Sequence, residues 1–130
     1  MKFKRQSLPK PTEAELELLR VLWDKGPATV RELHDEVNLQ RAVGYTSVLK
    51  ILQIMTEKGL VEREESNKAH IYRAAASQEE TQNQLLRDLS ERLFSGSATQ
   101  LAMHALAMQP TSDEELDEIR TLIEQKRQTR

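Results

Sequence analysis

The chain has 130 residues, enough for one domain or two small ones, with 38% hydrophobic and only 4% aromatic residues. Its net charge of −2 argues weakly against a nucleic-acid partner, and the absence of cysteine excludes disulfides, thiolate metal sites and cysteine catalysis. No apolar run reaches the ~18 residues that a membrane helix needs, and the N-terminus lacks the apolar centre of a signal peptide, which predicts a soluble, cytoplasmic protein without membrane insertion.

The first two predicted helices are each marked by a threonine with a glutamate three residues later. Thr12 with Glu15 forms such a capping box, and helical spacing of apolar residues then continues to a Gly-Pro stop. Thr29 with Glu32 opens a second, shorter helix. The residues expected to face inward are Leu16, Leu19, Leu22 and Trp23 in the first helix, and Val30, Leu33 and Val37 in the second.

A third helix and a hairpin complete the first half of the chain. The helix is predicted from Gly44 or Tyr45 to Gly59, where glycine permits a left-handed stop. Its inward stripe, at i, i+3, i+4 and i+7, is Val48, Ile51, Leu52 and Met55. The segments "LVERE" and "HIYRA" then predict two strands around a polar turn at residues 65–69, and we call residues 60–74 the wing. This order of elements is that of a winged helix-turn-helix.

Three more helices are predicted in the rest of the chain. Ser77 with Glu80 opens the first, "ATQLAMHALAM" forms a short apolar second, and Ser112 with Glu115 caps the last. So short a segment rarely buries a sufficient core, so we expect it to pack against a second chain, the alternative being a monomer with a helical extension. The expected dimerisation residues are Leu85, Leu89, Leu93, Leu101, Leu106, Leu116, Ile119, Leu122 and Ile123.

The expected fold is therefore mainly α with a small β-hairpin: a winged-helix DNA-binding domain followed by a helical dimerisation domain. The first would span residues 11–76 and the second residues 77–130, after a disordered tail at residues 1–10; the final "KRQTR" is also expected to be disordered. Residues 1–76 carry 13 Lys and Arg against 11 Asp and Glu, whereas residues 77–130 carry 6 against 10. Because the first part is only mildly basic, any DNA affinity must depend on the local placement of cations.

The outward side of the third helix carries residue types that suit the major groove. Thr46 and Ser47 allow close approach and can donate to phosphates or bases, Lys50 suits a phosphate or guanine, and Gln53 suits an adenine edge. Tyr45 can bond a phosphate through its hydroxyl. The alternative is a merely solvated face of an amphipathic helix. The order of elements around this face favours DNA binding.

Further phosphate contacts are expected from cations outside this helix. Lys68 lies at the turn of the wing, although three neighbouring glutamates would repel DNA. Arg31 and Arg41 lie near the ends of the second helix and its link, where they could clamp phosphates. The acid-rich wing and the net charge also suit a competing class, a winged-helix module that binds protein. Salt dependence of binding separates the two classes.

Neither an enzyme nor a metal or cofactor site is predicted. The three histidines, His34, His70 and His104, fall in different elements without the spacing of a metal site. A glycine-rich phosphate loop and a nucleophile motif are both absent from the sequence. A third functional class is a ligand-gated regulator with a pocket lined by Phe94, Met103 and Met108. Methionines more often fill a packed interface, which favours the dimer.

The stretches "PTEAELELLRVLWDKGPATVRELHDEV" and "GYTSVLKILQIMTEKGLVERE", with the short wing that follows, resemble the penicillinase-repressor (BlaI/MecI/CopY) family over roughly residues 11–127. The resemblance implies a winged-helix repressor that dimerises through its C-terminal helices and binds a palindromic double-stranded operator. It implies that the third helix contacts bases through Tyr45, Thr46, Ser47 and Lys50. It also implies that the wing contacts a phosphate through Lys68.

Two departures from the family pattern limit what the resemblance implies. The copper-responsive branch ends in a cysteine-rich hook, which this chain lacks, so copper sensing is not implied. The β-lactam-responsive members are inactivated by cleavage of an Asn-Phe bond, and the matching place here is His104-Ala105. The resemblance therefore leaves open a membrane-bound metallopeptidase as a partner, with a changed cleavage specificity.

Overall fold

A computed structural model of the chain describes residues 9–129, so nearly all of the expected N-terminal tail lies outside the described residues. The described part contains six helices and one two-stranded antiparallel sheet, which confirms the mainly α fold with a hairpin. The elements are α1 Glu13–Lys25, α2 Val30–Asn38, α3 Tyr45–Lys58, β1 Val61–Glu64, β2 Ile71–Ala74, α4 Gln78–Leu93, α5 Ala98–Met108 and α6 Asp113–Gln128.

The predicted capping boxes form and set the helix starts. At α1 the Thr12 hydroxyl accepts from the Glu15 N–H at 3.2 Å, and the Glu15 carboxylate accepts from the Thr12 N–H at 2.9 Å. Thr29 with Glu32 repeats this arrangement at α2, and the predicted boxes at the starts of α4 and α6 form as well. Such a side-chain cap contributes typically about 1 kcal/mol to stability. The caps explain why the helix starts could be predicted closely.

A core of aliphatic side chains joins α1, α2, α3 and the hairpin. The expected inward residues of α2 and α3 are buried, apart from Ile51, which is half-buried at the edge of the core. In α1, Leu16 and Trp23 are also half-buried, whereas Leu18, which the expected stripe omits, is 2% exposed. The reason is that α1 packs against α2, α3 and β2, so its buried arc is wider than one stripe.

The wing is tied to the helices at its base. β1 and β2 pair in antiparallel register from Val61 with Ala74 to Glu64 with Ile71. The loop between α1 and α2 adds a bridge, in which Ala28 and Tyr72 exchange backbone hydrogen bonds of 3.0 and 2.8 Å. Residues 65–69, at the tip, are all exposed. The tip is therefore the part of the wing that a partner can reach.

The chain divides into two compact units, the first ending at Leu85 and the second beginning at Leu86, within α4. In the second unit, Ser90 is the one buried residue among residues 86–129, and α5 and α6 contain none. α6 continues to Gln128, so the expected disorder of the last residues is wrong for residues 126–128. Among residues 9–129, every helix is too short or too polar to cross a bilayer.

Candidate nucleic-acid interface

α3 buries one side and exposes the other along its whole length. Val48, Leu52 and Met55 are at most 1% exposed and hold the helix to the core. The opposite side carries four of the five residues of this helix that were predicted to approach DNA, together with an isoleucine, and these four residues and the isoleucine are all exposed. We call this group the outward face of α3; its members are Thr46, Ser47, Lys50, Gln53 and Ile54. The structure therefore brings four of the five predicted residues of this helix together on one accessible surface.

The start of α3 differs from the starts of its neighbours. Its N-cap, Gly44, has extended backbone (φ −77°, ψ 151°) and supplies no side-chain hydrogen bond, and the first turn contains no acidic residue. By contrast, α1 and α2 each begin with a threonine cap and a glutamate in the first turn. The N–H groups and partial positive charge at the start of a helix attract anions such as phosphate. The first turn of α3 is electrostatically suited to a phosphate, and it is the turn that carries Tyr45, Thr46 and Ser47.

Tyr45 lies in a small aromatic and cationic cluster between α2 and α3. Its ring meets the His34 ring edge to face, with centroids 5.8 Å apart, and the Arg31 guanidinium carbon lies 6.0 Å from the Tyr45 centroid. The Nε2 of His34 lies 2.8 Å from the Val43 carbonyl oxygen and donates to it, which holds the link before α3. Tyr45 remains 44% exposed. The structure thus places Arg31 beside Tyr45, the first residue of α3.

Ion pairs divide the cations of the first unit into two classes. Arg41 is held by Glu17 through two bonds, Nη2–Oε1 at 2.7 Å and Nε–Oε2 at 3.4 Å. The hydrogen bond to Glu17 and its charge raise the pKa of the Arg41 guanidinium above its ordinary value. Within residues 9–129, Arg31, Lys50 and Lys68 form no ion pair and are exposed. Of the four predicted cations, these three are free to meet a phosphate, and Arg41 would have to share its carboxylate partner.

The acidic residues of the wing are largely neutralised from within the wing. Arg73 pairs with Glu64 at 2.8 Å, and Arg63 pairs with Glu65 at 2.9 Å. A hydrogen bond with the Tyr72 hydroxyl and the pairing with Glu65 raise the pKa of Arg63. Two of the three glutamates that were expected to repel DNA therefore have their charge compensated, whereas Lys68 at the tip forms no ion pair among residues 9–129.

Ile54 is the member of the outward face that the sequence analysis omits. It is 41% exposed and lies four residues after Lys50 and seven after Ser47. Helical spacing alone puts these positions on one side of a helix, so the signal was present in the sequence. Isoleucine is more often a core residue, and only its exposure in the folded chain separates it from the buried stripe.

The sequence is similar to those of known repressor proteins. A family model described as penicillinase repressor matches residues 11–125. The methicillin resistance regulatory protein MecI of Mammaliicoccus sciuri is 19% identical over 115 residues, covering 88% of this chain and 94% of MecI. The transcriptional regulator BlaI of Mycobacterium tuberculosis (strain CDC 1551 / Oshkosh) is 32% identical over 85 residues, covering 64% of this chain and 62% of BlaI.

Two solved structures resemble the fold. The solution structure of the DNA-binding domain of the repressor BlaI superposes with a TM-score of 0.51 and 17% identity, covering 58% of this chain and 93% of that one. The solution structure of the Bacillus licheniformis BlaI monomeric form in complex with the blaP half-operator superposes with a TM-score of 0.50 and 18% identity, covering 56% of this chain and 89% of that one. These likenesses confirm the winged-helix fold. Because the family model spans most of the chain, the chain belongs to the penicillinase repressor family, whose members are transcriptional repressors rather than enzymes.

Proposed function

We propose that the protein is a homodimeric, sequence-specific repressor that places α3 of each protomer in the major groove of a two-fold symmetric operator. The observation that carries this proposal is the outward face of α3, which holds hydroxyl, ammonium and amide groups on one exposed surface. Groups of these types hydrogen-bond to phosphates and to base edges, whereas the buried side of α3 fixes the helix to a rigid core. Bound in this way, the repressor blocks access to the promoter.

The charges that surround this face support the same placement. Lys50 is on the face, Arg31 lies beside Tyr45 at its N-terminal end, and Lys68 is at the tip of the wing. All three are exposed and without an ion pair among residues 9–129. A cation without a carboxylate partner can displace counterions from DNA at no cost in broken ion pairs. We assign phosphate contacts to Arg31 and Lys68, and a guanine or phosphate contact to Lys50.

The second unit supports assembly with another copy of the chain. Leu93 on α4 is 66% exposed, and on α6 Leu122 and Ile123 are 56% and 46% exposed. All nine residues that the sequence analysis assigns to dimerisation are exposed or half-buried in the single chain. α5 contains no charged residue, although nearly all of it faces solvent. A largely apolar helix is normally buried, so we propose that a second chain covers these helices.

The half-operator complex of the relative supports the stoichiometry. Bacillus licheniformis BlaI is described there as a monomeric form on the blaP half-operator. One winged-helix unit on each half-site is the same arrangement that we propose for the two protomers here. In helix-turn-helix dimers the half-sites lie about one helical turn, or a multiple of it, apart.

Release of the repressor by proteolysis extends the proposal, with a membrane-bound metallopeptidase as the partner. The matching bond, His104-Ala105, lies inside α5, where the His104 ring packs against Phe94 with centroids 5.0 Å apart. A protease reaches a helical bond only after local unfolding. Cleavage there would therefore depend on how often α5 opens.

The pocket of a ligand-gated regulator finds less support in this geometry. Met103 and Met108 are 52% and 78% exposed, so in the single chain they do not enclose a cavity. The same exposure suits residues that a second chain covers. We therefore propose that these side chains lie in the dimer interface.

The direct test selects duplexes from a random-sequence pool by repeated binding to the full chain and amplification. We expect one two-fold symmetric sequence to be enriched, and to bind at least about 10³-fold more tightly than random duplex. Affinity should fall with a slope near −5 in log K against log salt, since three unpaired cations per protomer neutralise about six phosphates. No enrichment would contradict sequence-specific binding, and salt-independent binding would favour a protein partner.

Two substitutions sharpen this test. Lys50→Ala should weaken binding of the enriched duplex by about 1–3 kcal/mol without loss of folding. Arg20→Ala is the matched control, because Arg20 is another exposed cation without an ion pair among the described residues but lies on α1. Equal weakening by both substitutions would remove the special role of Lys50.

A further inference from the structure

We infer that Ile54 is a specificity-determining residue that contacts the 5-methyl group of a thymine in each half-site, an inference that rests on the proposed function. Ile54 is 41% exposed on the outward face of α3, one turn after Lys50 and two turns after Ser47. Every other member of that face carries a hydrogen-bonding group. Ile54 is therefore the one wholly apolar side chain on this face.

The fold does not use Ile54 as a core residue. The two half-buried apolar residues of α3, Leu49 and Ile51, pack against the core, and Val48, Leu52 and Met55 on the same helix are at most 1% exposed. Ile54 belongs to neither group. A single exposed apolar side chain is ordinary on a protein surface, so exposure alone would indicate nothing. The inference therefore depends on a second observation, which is that Ile54 lies within the outward face of α3.

The chemistry of the major groove identifies what an isoleucine can read there. Guanine, cytosine and adenine present donors and acceptors, and thymine also presents a methyl group, which apolar side chains contact. Isoleucine is branched at Cβ and strongly prefers one χ1 rotamer in a helix, so its γ-methyl group has a well-defined position. The preceding residue, Gln53, suits an adenine. The pair predicts a preference for A·T base pairs under this part of α3.

Glu57 sets the far limit of this contact. It is exposed one turn further along α3 and has no ion pair among the described residues, so it repels phosphates rather than binding them. Ile54 is thus the last residue along the helix that can approach the bases without a repulsive charge. Lys50, Gln53 and Glu57 surround it with polar groups, which argues against an apolar patch for a protein partner.

The experiment uses the duplex enriched from the random pool and replaces each thymine in turn with deoxyuridine, which removes only the methyl group. For the unmodified chain, one thymine per half-site should show about fourfold weaker binding, the loss expected for one buried methyl group. Ile54→Ala should bind the thymine and uracil duplexes equally, and Ile54→Val should keep most of the difference. Melting temperatures of the variants check that each one folds.

A control variant separates base reading from general weakening. Lys50→Ala should weaken binding to both duplexes and leave the thymine-to-uracil ratio unchanged. If no thymine shows the effect, or if Ile54→Ala retains it, the inference is overturned while the proposed function stands. If the full chain enriches no duplex, the proposed function fails and the inference fails with it.

Discussion

Glu15 holds three parts of the first unit together through one carboxylate. Its side chain is nearly buried, and Oε1 accepts from the Thr12 N–H at 2.9 Å and from Lys58 Nζ at 2.6 Å. Burial raises the pKa of this carboxyl, but the bonds from Lys58 and Thr12 lower it further, so that the net shift is downward from 4.5. A lowered folded-state pKa stabilises the protein above the unfolded value, and this stability is lost as pH falls through the folded value.

Replacing Glu15 with glutamine should show that this charge stabilises the fold. The substitution leaves Lys58, which is itself two-thirds buried, without its anionic partner. We expect the free energy of unfolding at pH 7 to fall by about 1–3 kcal/mol, as for other bonds to charged groups. The variant should also lose less stability than the parent as the pH falls below about 4.5. Urea denaturation at fixed protein concentration across this range measures both effects.

Glu32→Gln is the matched control for this prediction. Glu32 makes the same capping box at α2, with Thr29, but its side chain is exposed and has no lysine partner in the described part of the chain. Its substitution should lower the free energy of unfolding at pH 7 by less than the substitution of Glu15 does. Equal effects of the two substitutions would show that the cap, and not the pairing with Lys58, accounts for the loss.

Among the elements, α3 begins without a side-chain cap, which we relate to the proposed binding of a phosphate there. Gly44 has no side chain to cap the helix, although its φ of −77° does not require glycine. A Cβ at this position would meet only the Ser47 hydroxyl, at 3.9 Å, which is an ordinary contact. The fold would therefore accept a better cap, and we attribute the glycine to the proposed approach of a phosphate.

The substitution Gly44→Asp tests whether a phosphate approaches the start of α3. Aspartate should cap α3 and raise the melting temperature slightly, since it exceeds glycine as a cap by a few tenths of a kcal/mol. It should also weaken DNA binding at least about fivefold, because two unit charges ~4 Å apart in water repel by about 1 kcal/mol. Gly44→Ala, which adds a side chain without charge, should bind more tightly than Gly44→Asp. Unchanged affinity of the aspartate variant would rule out a phosphate at this helix start.

Elements were more predictable from the sequence than the contacts between them. Capping boxes and glycine stops are local signals, so the starts and ends of the helices follow from residues three or four positions apart. The pairing of Arg41 with Glu17 joins residues 24 positions apart, and no local pattern indicates it. The approach of Arg31 to Tyr45 likewise depends on how α2 crosses α3. The outward face of α3 was predicted except for Ile54, because isoleucine is normally a core residue.

At the scale of the whole molecule, the two units differ in how well each buries its own apolar side chains. The described part of the first unit, residues 9–85, contains thirteen buried hydrophobic residues, whereas none of the hydrophobic residues among residues 86–129 is buried. A unit of this kind gains its stability from association. The proposed dimer supplies that association and also sets two copies of α3 at a fixed spacing.

Sedimentation equilibrium of the full chain at micromolar concentration should give twice the monomer mass of 15.0 kDa. Leu122→Glu should reduce this to the monomer mass, because it places a charge in the proposed interface. Leu39→Glu is the control, since Leu39 is 79% exposed but lies at the end of α2 in the first unit. A monomeric parent chain, or dissociation by Leu39→Glu alone, would contradict the assignment of the second unit.

The central claim is that α3 of each protomer reads the major groove, and methylation interference on the enriched duplex tests it most directly. Dimethyl sulfate modifies guanine N7, which faces the major groove, and adenine N3, which faces the minor groove. We predict that guanine methylation blocks binding in two symmetric patches about one helical turn apart. We also predict that Lys50→Ala relieves the block at one guanine in each patch. Interference confined to adenine N3, or a single asymmetric patch, would contradict the account.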